Sequence, residues 1–188
     1  MTDHTQQSVP GDRDCMRAIA RGDTGELGRL YERYKDNVLA LSFRILGRWN
    51  LAEDVCQETF LRIQHAAKTY KPEAEFTTWL YRIVVNLCLD EKRRQSRYSV
   101  DTEAIDTFQE PAAYHPAEND SQELHIIVKQ ALQKLNDRQR TAVILHKIEG
   151  LSHAEISLKT GWTPASVESL LVRAYKNLRK EINASINK

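Results

Sequence analysis

The side chains best suited to bind another molecule lie between residues 150 and 176, in a stretch that predicts two short helices. The second helix has an apolar face made of Val167, Leu171, Ala174 and Leu178. Its outward face is made of Ala165, Ser166, Glu168, Ser169, Arg173 and Lys176. Small and polar side chains can approach base edges in the DNA major groove, while cations bind neighbouring phosphates. A helical hairpin with a merely solvated outer face explains the same pattern.

Signals for helix ends predict a tight turn in the middle of this stretch. Ser152 and Glu155 form an S-x-x-E capping box at the start of the first helix. Gly161 permits the left-handed conformation that ends this helix. Thr163 and Pro164 fit the N-cap and the first position of the second helix. Together these signals predict a helix-turn-helix.

A second pattern that suggests binding lies in AEDVCQETFLRIQ, residues 52–64. Its predicted buried side consists of Ala52, Cys56, Phe60 and Ile63. Its other side presents Glu53, Asp54, Gln57, Glu58 and Leu61. This acidic and amide face, with one apolar residue, suits a basic amphipathic partner helix. A solvated surface helix, whose acids stabilise its N-terminal end, is the equally simple alternative.

The third pattern is FTTWLYRIVVNLCLDEKRRQSR, residues 76–97, in which an apolar helix ends in polar and basic residues. Trp79, Tyr81 and Ile83 read first as core residues. The polar end consists of Asn86, Asp90, Arg93, Arg94 and Arg97. Aromatic rings beside a basic cluster suit unstacked bases and single-strand phosphates. Cations at a helix C-terminus also stabilise the helix dipole, so a purely structural role stays open.

Composition excludes several classes of protein. The 188 residues are 41% hydrophobic, enough for packed cores, and no apolar run is long enough to span a membrane. The polar N-terminus has no signal-peptide core, so we expect a cytoplasmic protein. Cys15, Cys56 and Cys88 fit neither a disulfide framework nor a zinc site and are expected to be buried. Six scattered histidines and the absence of a nucleophile–base pattern predict no enzyme, metal or cofactor.

The net charge of +1 conceals a strong separation of charge along the chain. Residues 1–98 carry 16 basic and 14 acidic side chains, and residues 99–123 carry seven acidic and no basic ones. Residues 124–188 carry 11 basic and 5 acidic side chains, a net charge of +6. The C-terminal segment alone therefore has the charge typical of a nucleic-acid-binding domain.

The patterns predict an all-α protein of two small helical domains, residues 12–97 and 123–185, joined by a flexible acidic linker, residues 98–122. The predicted helices cover residues 12–21, 24–46, 77–94, 123–135 and 137–148, besides the helix-turn-helix pair. Asn50 and Glu53 can cap a further helix that runs to about residue 67. The acidic linker can act as a spacer or lie in a basic channel built for nucleic acid.

The order of AEDVCQETF, FTTWLYRIVVN..LDEKRR, linker and helix-turn-helix resembles a bacterial RNA polymerase sigma factor of the extracytoplasmic-function group of the sigma-70 family. The resemblance runs from about residue 24 to residue 180. It implies that the first domain is sigma region 2, which binds core polymerase and melts the −10 promoter element. It implies that the second is sigma region 4, which binds the −35 element as duplex.

The resemblance also implies roles for particular residues. Core polymerase would bind Glu53, Asp54, Gln57, Glu58 and the adjacent Leu61. The −10 element would contact Trp79, Arg82, Asn86, Arg93 and Arg94. The −35 element would contact Thr163, Pro164, Ala165, Ser166, Glu168, Ser169, Arg173 and Lys176. The implied partners are core RNA polymerase, promoter DNA and an anti-sigma factor. Any membrane contact would be indirect, through the anti-sigma factor, and no small-molecule substrate or cofactor is expected.

One departure from the family pattern concerns the second helix of the helix-turn-helix. Where members often have Val-Lys-Ser-Arg-Leu, this chain has Val167-Glu168-Ser169-Leu170-Leu171. A carboxylate can accept a hydrogen bond from cytosine N4, so Glu168 can select a cytosine in the −35 element. Alternatively, it faces solvent or pairs with a neighbouring cation. A DNA-binding regulator with an unrelated sensor domain would explain the helix-turn-helix but not the acidic helix.

Overall fold

The computed structural model of the chain describes residues 10–98 and 119–186, which contain eight α-helices and no strand. The first four helices are α1 (Asp12–Ala20), α2 (Thr24–Leu46), α3 (Trp49–Ala66) and α4 (Phe76–Tyr98), with a 3₁₀ turn, Ala67–Thr69, after α3. The other four are α5 (Asn119–Gln133), α6 (Asp137–Val143), α7 (His153–Thr160) and α8 (Pro164–Ile186). A π-helical segment, Ile144–Ile148, continues α6. The predicted all-α class is confirmed.

The first four helices share a core in which α2 packs against α1, α3 and α4. Phe76, Val84 and Val85 of α4 are almost completely buried in it. Full burial of one such side chain contributes about 1.5–3 kcal/mol to folding. The predicted burial of Cys15, Cys56 and Cys88 is confirmed, and all three are free thiols. Burial raises the pKa of Cys56 to about 11, so the thiol stays protonated at neutral pH.

The second core is formed by helices α5 to α8. Leu145, Ile156, Val167, Leu171 and Ala174 are buried in it, and α8 packs against α5, α6 and α7. Three of these residues belong to the apolar face predicted for the second helix of the helix-turn-helix. Leu178, the fourth member of that face, is half-buried. The orientation of α8 predicted from its periodicity is therefore confirmed.

The predicted ends of the helix-turn-helix are also confirmed. Ser152 and Glu155 form a reciprocal capping box at the start of α7. Gly161 ends α7 with φ +75°, a conformation that a residue with a side chain rarely adopts. The Thr163 hydroxyl accepts a hydrogen bond from the backbone N–H of Ser166 at 3.2 Å and caps α8.

The cap predicted for α3 is wrong. Asn50 lies inside this helix, which begins at Trp49, and its N-cap, Arg48, makes no capping hydrogen bond through its side chain. Gly47 ends α2 at φ +74°, so the chain turns into α3 after a single residue. The Trp49 ring then packs edge-on against Phe43 of α2, with centroids 5.4 Å apart. This contact between neighbouring helices, rather than a polar cap, accompanies the start of α3.

Three other predicted boundaries differ from the structure. The helix predicted over residues 137–148 is α-helical only to Val143, after which the backbone widens into the π-helical segment. Helix α4 extends to Tyr98 rather than residue 94, and α5 begins at Asn119, inside the predicted linker. The linker's central part, residues 99–118, lies outside the described residues. Its predicted flexibility and its path through a basic channel therefore stay predictions, as do the domain boundaries.

Helix α4 also contacts the second domain. Glu149, which follows the π-helical segment, forms an ion pair with Arg44 of α2 and accepts a hydrogen bond from the Tyr81 hydroxyl at 3.3 Å. Burial and the Glu149 carboxylate raise the pKa of Tyr81 to about 12, so this hydroxyl stays a donor. Lys159 of α7 lies 4.0 Å from the centre of the Tyr81 ring. Glu149 thus joins the two domains.

The contact at Glu149 predicts a charge-swap phenotype. Arg44→Glu should favour separation of the domains because it places two carboxylates together, at a cost of at least about 1 kcal/mol. Adding Glu149→Arg should restore the contact with reversed polarity. Small-angle X-ray scattering should therefore give a larger radius of gyration for the single variant than for the double variant. Arg48→Glu, at an exposed arginine just after α2, is the control; equal scattering by all variants would contradict the role of Glu149.

Candidate nucleic-acid interface

The predicted acidic face of α3 is present on the surface. Glu53, Asp54 and Gln57 are exposed, and Leu61 is 49% exposed beside them. Glu58 is half-buried and accepts a hydrogen bond from Arg62 at 2.8 Å. The face therefore combines negative charge with one exposed apolar side chain, as binding to a basic amphipathic helix requires.

The buried side of α3 holds this face in position. All four residues predicted to be buried are buried, and the sequence reading missed Val55 and Thr59, which are buried too. The Thr59 hydroxyl donates to the Val55 carbonyl at 2.7 Å, which satisfies its hydrogen bonding inside the core. The Phe60 ring meets Tyr31 of α2 edge-on, with centroids 4.9 Å apart. The acidic residues are thus carried on a well-packed helix rather than on a loop.

An aromatic cluster lies at the N-terminal end of α4. Trp79 is half-buried, with its ring centre 5.0 Å from Tyr70 and 5.8 Å from Phe76. Phe76 is buried and also contacts Tyr34 of α2 at 5.4 Å. Trp79 is therefore both a packing residue and part of the surface. Partly exposed aromatic rings of this kind can stack with an unpaired base.

The polar C-terminal part of α4 is exposed, as predicted. Asn86, Arg93 and Arg94 all reach solvent. Arg93 pairs with Asp90, and Arg94 pairs with Glu91 at 2.7 Å, each one helical turn away. The Arg93–Asp90 pair is exposed on both sides and contributes only about 0–1 kcal/mol, so a phosphate can displace Asp90 at little cost. The Glu91 side chain is only 13% exposed, so its pair with Arg94 is less easily exchanged.

The second domain lies against this part of α4. A cleft of about 570 Å³ between the domains is lined by Asn86 and Arg93 on one side and by Arg138 and Trp162 on the other. The Arg138 guanidinium lies 4.9 Å from the centre of the Trp162 ring. Arg82 donates to a carbonyl of α7 at 3.0 Å. Three of the five residues predicted to bind the −10 element thus face the second domain.

The outward face of α8 is accessible in this arrangement. Its first turns present exposed side chains from Thr163, Pro164, Ala165 and Glu168, with Arg173 and Lys176 further along. Ser166 and Ser169 are half-buried, which makes them less prominent than predicted. This helix can approach a DNA groove without rearrangement inside the second domain.

The described residues contain neither a metal-binding cluster nor a membrane-spanning helix. No group of three or more histidine, cysteine, aspartate or glutamate side chains in them could hold a metal ion. Within the same ranges no helix is both long and apolar enough to cross a bilayer.

Comparison with known proteins identifies the family. Residues 30–98 match sigma-70 region 2, and residues 125–178 match sigma-70 region 4. The chain is 30% identical over 176 residues to the ECF RNA polymerase sigma factor SigW of Bacillus subtilis (strain 168), covering 89% of this chain and 94% of SigW. It is 34% identical over 178 residues to SigE of Mycolicibacterium smegmatis, covering 90% of this chain and 68% of SigE. The chain belongs to the extracytoplasmic-function sigma factors of the sigma-70 family.

Solved structures support the same assignment. The sigma factor is similar to CnrH, in a structure of CnrH in complex with the cytosolic domain of CnrY, with a TM-score of 0.61 and 25% identity. The match covers 92% of this chain and 97% of that chain. The fold also matches RpoE of Bartonella quintana, with a TM-score of 0.59, 23% identity and coverage of 83% and 96%. The resemblance noted from the motifs is confirmed: this is a transcription initiation factor that directs core RNA polymerase to promoters.

The two residues of α8 that depart from the family pattern, Glu168 and Leu170, have different surroundings. Glu168 is exposed, and no cation among the described residues lies within ion-pairing distance of it. Of the alternatives to base reading, the solvent-facing one therefore fits and the ion pair does not. Leu170 is half-buried and lines the cleft between the domains together with Leu89 of α4. A leucine at this position adds apolar surface to that cleft, as a cation there would not.

Sequence reasoning missed several residues of these surfaces. Tyr70, which packs against Trp79, lies in an aperiodic segment that gave no signal. Glu149 gave none either, because its partners are distant in the sequence. A basic stripe on α1 did leave a signal, since Arg13, Arg17 and Arg21 are spaced four residues apart and must share one side of a helix.

Proposed function

We propose that the surfaces of this sigma factor divide promoter recognition between two domains, residues 12–97 and 123–185. The acidic face of α3, from Glu53 to Leu61, binds core polymerase. Trp79 and the polar side of α4 capture the −10 element, and the outward face of α8 reads the −35 element. The observation that carries the proposal is that the acidic face and the exposed arginines of α4 lie on adjacent helices of one packed core. Core polymerase and DNA can therefore be bound together.

In this proposal, promoter binding requires separation of the two domains. Arg82 contacts α7, and Asn86 and Arg93 line the cleft that the second domain covers. A DNA strand that engages these residues has to replace the second domain there. Binding of core polymerase and of both promoter elements supplies the free energy for this opening, since a ligand shifts a conformational equilibrium by its differential affinity for the two states.

The proposal assigns no catalysis to the sigma factor. Core polymerase performs the chemistry in the cytoplasm, and this chain supplies promoter choice and strand opening. An anti-sigma factor is its proposed regulator, through which any membrane contact would be made. Support comes from RpoE of Bartonella quintana, which has the same fold and was solved in complex with the anti-sigma factor NepR.

The proposed contact with core polymerase can be tested by reversing charge on α3. Asp54→Lys combined with Glu58→Lys should lower the affinity for core polymerase by about 1–3 kcal/mol, because charged pairs at the interface are lost. Circular dichroism should stay unchanged because both side chains reach solvent. Glu32→Lys, whose carboxylate pairs with Lys35 on the same domain, is the matched control. Tight binding of the folded double variant to core polymerase would refute this site.

The proposed −10 contacts can be tested by separating strand opening from base capture. Asn86→Ala, or Arg93→Ala with Arg94→Ala, should preserve core binding and lower transcription from a duplex promoter, since contacts to the opened strand are lost. A template with a bubble already open at the −10 element should rescue defects in melting more than defects in base capture. Lys35→Ala serves as a charge control. Normal transcription by these variants from closed duplex would make the residues structural only.

The proposed role of Glu168 can be tested with a promoter library. If the carboxylate accepts from cytosine, Glu168→Gln should change the preference at one −35 position by roughly 1–3 kcal/mol. If Glu168 only faces solvent, the same variant should bind all sequences slightly more tightly, because one repulsive charge is gone. Selection of a randomised −35 element with both proteins distinguishes these results. A uniform gain across the library would rule out base reading.

A further inference from the structure

A basic cleft on the first domain has no part in the surfaces described so far. It has a volume of about 360 Å³ and lies between α1 and the 3₁₀ turn that follows α3. Four cations line it: Arg13, Arg17 and Arg21 of α1 and Lys68 of the 3₁₀ turn. None of them takes part in the contacts between the domains described above, so this basic cleft is accessible while the domains are together.

The cations of the basic cleft are available to a negatively charged ligand. Arg21 and Lys68 are exposed, and no carboxylate among the described residues lies within ion-pairing distance of either. Arg17 pairs with Asp14 at 3.3 Å and Arg13 with Glu75 at 3.7 Å, both at exposed positions where such pairs are weak. No acidic residue is among those that line the cleft. Phosphate groups would therefore meet four cations and no repelling carboxylate on its walls.

Tyr70 connects the basic cleft to the aromatic cluster at the start of α4. It lines the cleft, and its ring centre lies 5.0 Å from that of Trp79. Its hydroxyl is buried and has no hydrogen-bond partner among the described residues, which is unusual in a folded protein. Burial raises the pKa of Tyr70, so the hydroxyl keeps its proton and remains a hydrogen-bond donor. A strand that stacks at Trp79 could thus continue past Tyr70 into the cleft.

We propose that the basic cleft binds the phosphates of the single-stranded DNA that leaves the −10 element on its downstream side. This inference rests on the proposed function of Trp79 and α4. The second domain, which reads the upstream −35 element, is connected to the C-terminal end of α4. In this inference the upstream edge of the −10 element lies at that end, and the downstream strand lies at the N-terminal end, where Trp79, Tyr70 and the cleft lie.

The arrangement of the cations favours an extended strand over a small anion. Arg13, Arg17 and Arg21 follow one another along α1 at intervals of four residues, a rise of about 6 Å each. Guanidinium groups spaced in a row can contact successive phosphates, whereas a single anion needs donors that converge on one point. The adjoining aromatic cluster favours single-stranded over duplex DNA, because only unpaired bases can stack on it.

The experiment uses holoenzyme and fork templates made from a promoter that the wild-type holoenzyme selects from a random library. One fork ends its single-stranded non-template tail at the last base of the −10 element. A second extends this tail by about ten deoxythymidines, and a third carries the same extension as duplex. The test variant combines Arg17→Gln, Arg21→Gln and Lys68→Gln. The control combines Arg29→Gln, Lys35→Gln and Arg48→Gln, which removes the same charge from the same domain outside the cleft.

The expected result is a loss of at least about fivefold in affinity, confined to the fork with the extended single strand. On that fork, the slope of log K against log salt concentration should fall by about 2, since each single-strand phosphate contact contributes about 0.7. The control set should behave like wild type on the three forks. Because Arg17 and Arg21 also stabilise the C-terminal end of α1, Lys68→Gln alone serves as a second variant. It should lower the slope by about 0.7 without altering α1.

Several outcomes would overturn this inference. If the test variant lost affinity equally for the short and the extended fork, the cause would be a general effect of charge or stability. If it behaved like the control set, the cations of the cleft would make no contact with the strand. A loss found also with the duplex extension would assign the cations to duplex DNA instead. If the wild-type holoenzyme bound none of the forks, the proposed function itself would fail. If the wild-type holoenzyme bound the forks and the test variant bound them equally well, only the proposed role of the basic cleft would be refuted.

Discussion

Burial of one side of α4 is the constraint on which the arrangement of the binding surfaces depends. Val84, Val85 and Cys88 are almost completely buried, and they fix the helix against α2 and α3. The helix is continuous from Phe76 to Tyr98, so this packing also sets the positions of Trp79 near one end and Arg94 near the other. A cavity in this core would shift both ends of the candidate DNA surface together. Core packing and DNA geometry are thus linked through a single helix.

The charged surfaces are kept available by weak pairing within each helix. Arg93 and Arg94 on α4, like Arg17 on α1, each pair with an acid three residues earlier. The pairs of Arg17 and Arg93 are exposed and cost little to exchange for phosphate. The net charge of only +1 thus conceals local groups of cations that an anion can reach. The net charge of the whole chain is therefore a poor predictor of nucleic-acid binding in this protein, whereas the distribution of charge along the chain is a better one.

Features with a local cause could be predicted from the sequence. The capping box at Ser152, the left-handed turn at Gly161 and the buried stripe of α8 each depend on a few neighbouring residues. The predicted bounds of α2, residues 24–46, are also those of the structure. The exposure of the acidic face of α3 followed from helical periodicity alone, because burial of one side determines the direction of the other.

Features that depend on distant contacts could not be predicted in this way. Helix α3 begins at Trp49, whose ring packs against the preceding helix, and no residue pattern near Asn50 signals this. The ion pair of Glu149 with Arg44 joins residues 105 positions apart, and nothing in either local segment indicates the other. The widening of the helix after Val143 is likewise absent from the apolar periodicity. Sequence periodicity thus predicted which faces are exposed, but not which of them lie against the second domain.

Leu170 bears both on the charge that α8 offers to DNA and on the cleft between the domains. A cation at this position of the recognition helix would add a phosphate contact, whereas Leu170 lies in the cleft opposite Leu89. Leu170 therefore supplies no cation to α8 and adds apolar surface to the cleft that α4 also lines. In the proposed function, joint binding with core polymerase holds both domains close to their DNA elements and raises their effective concentration.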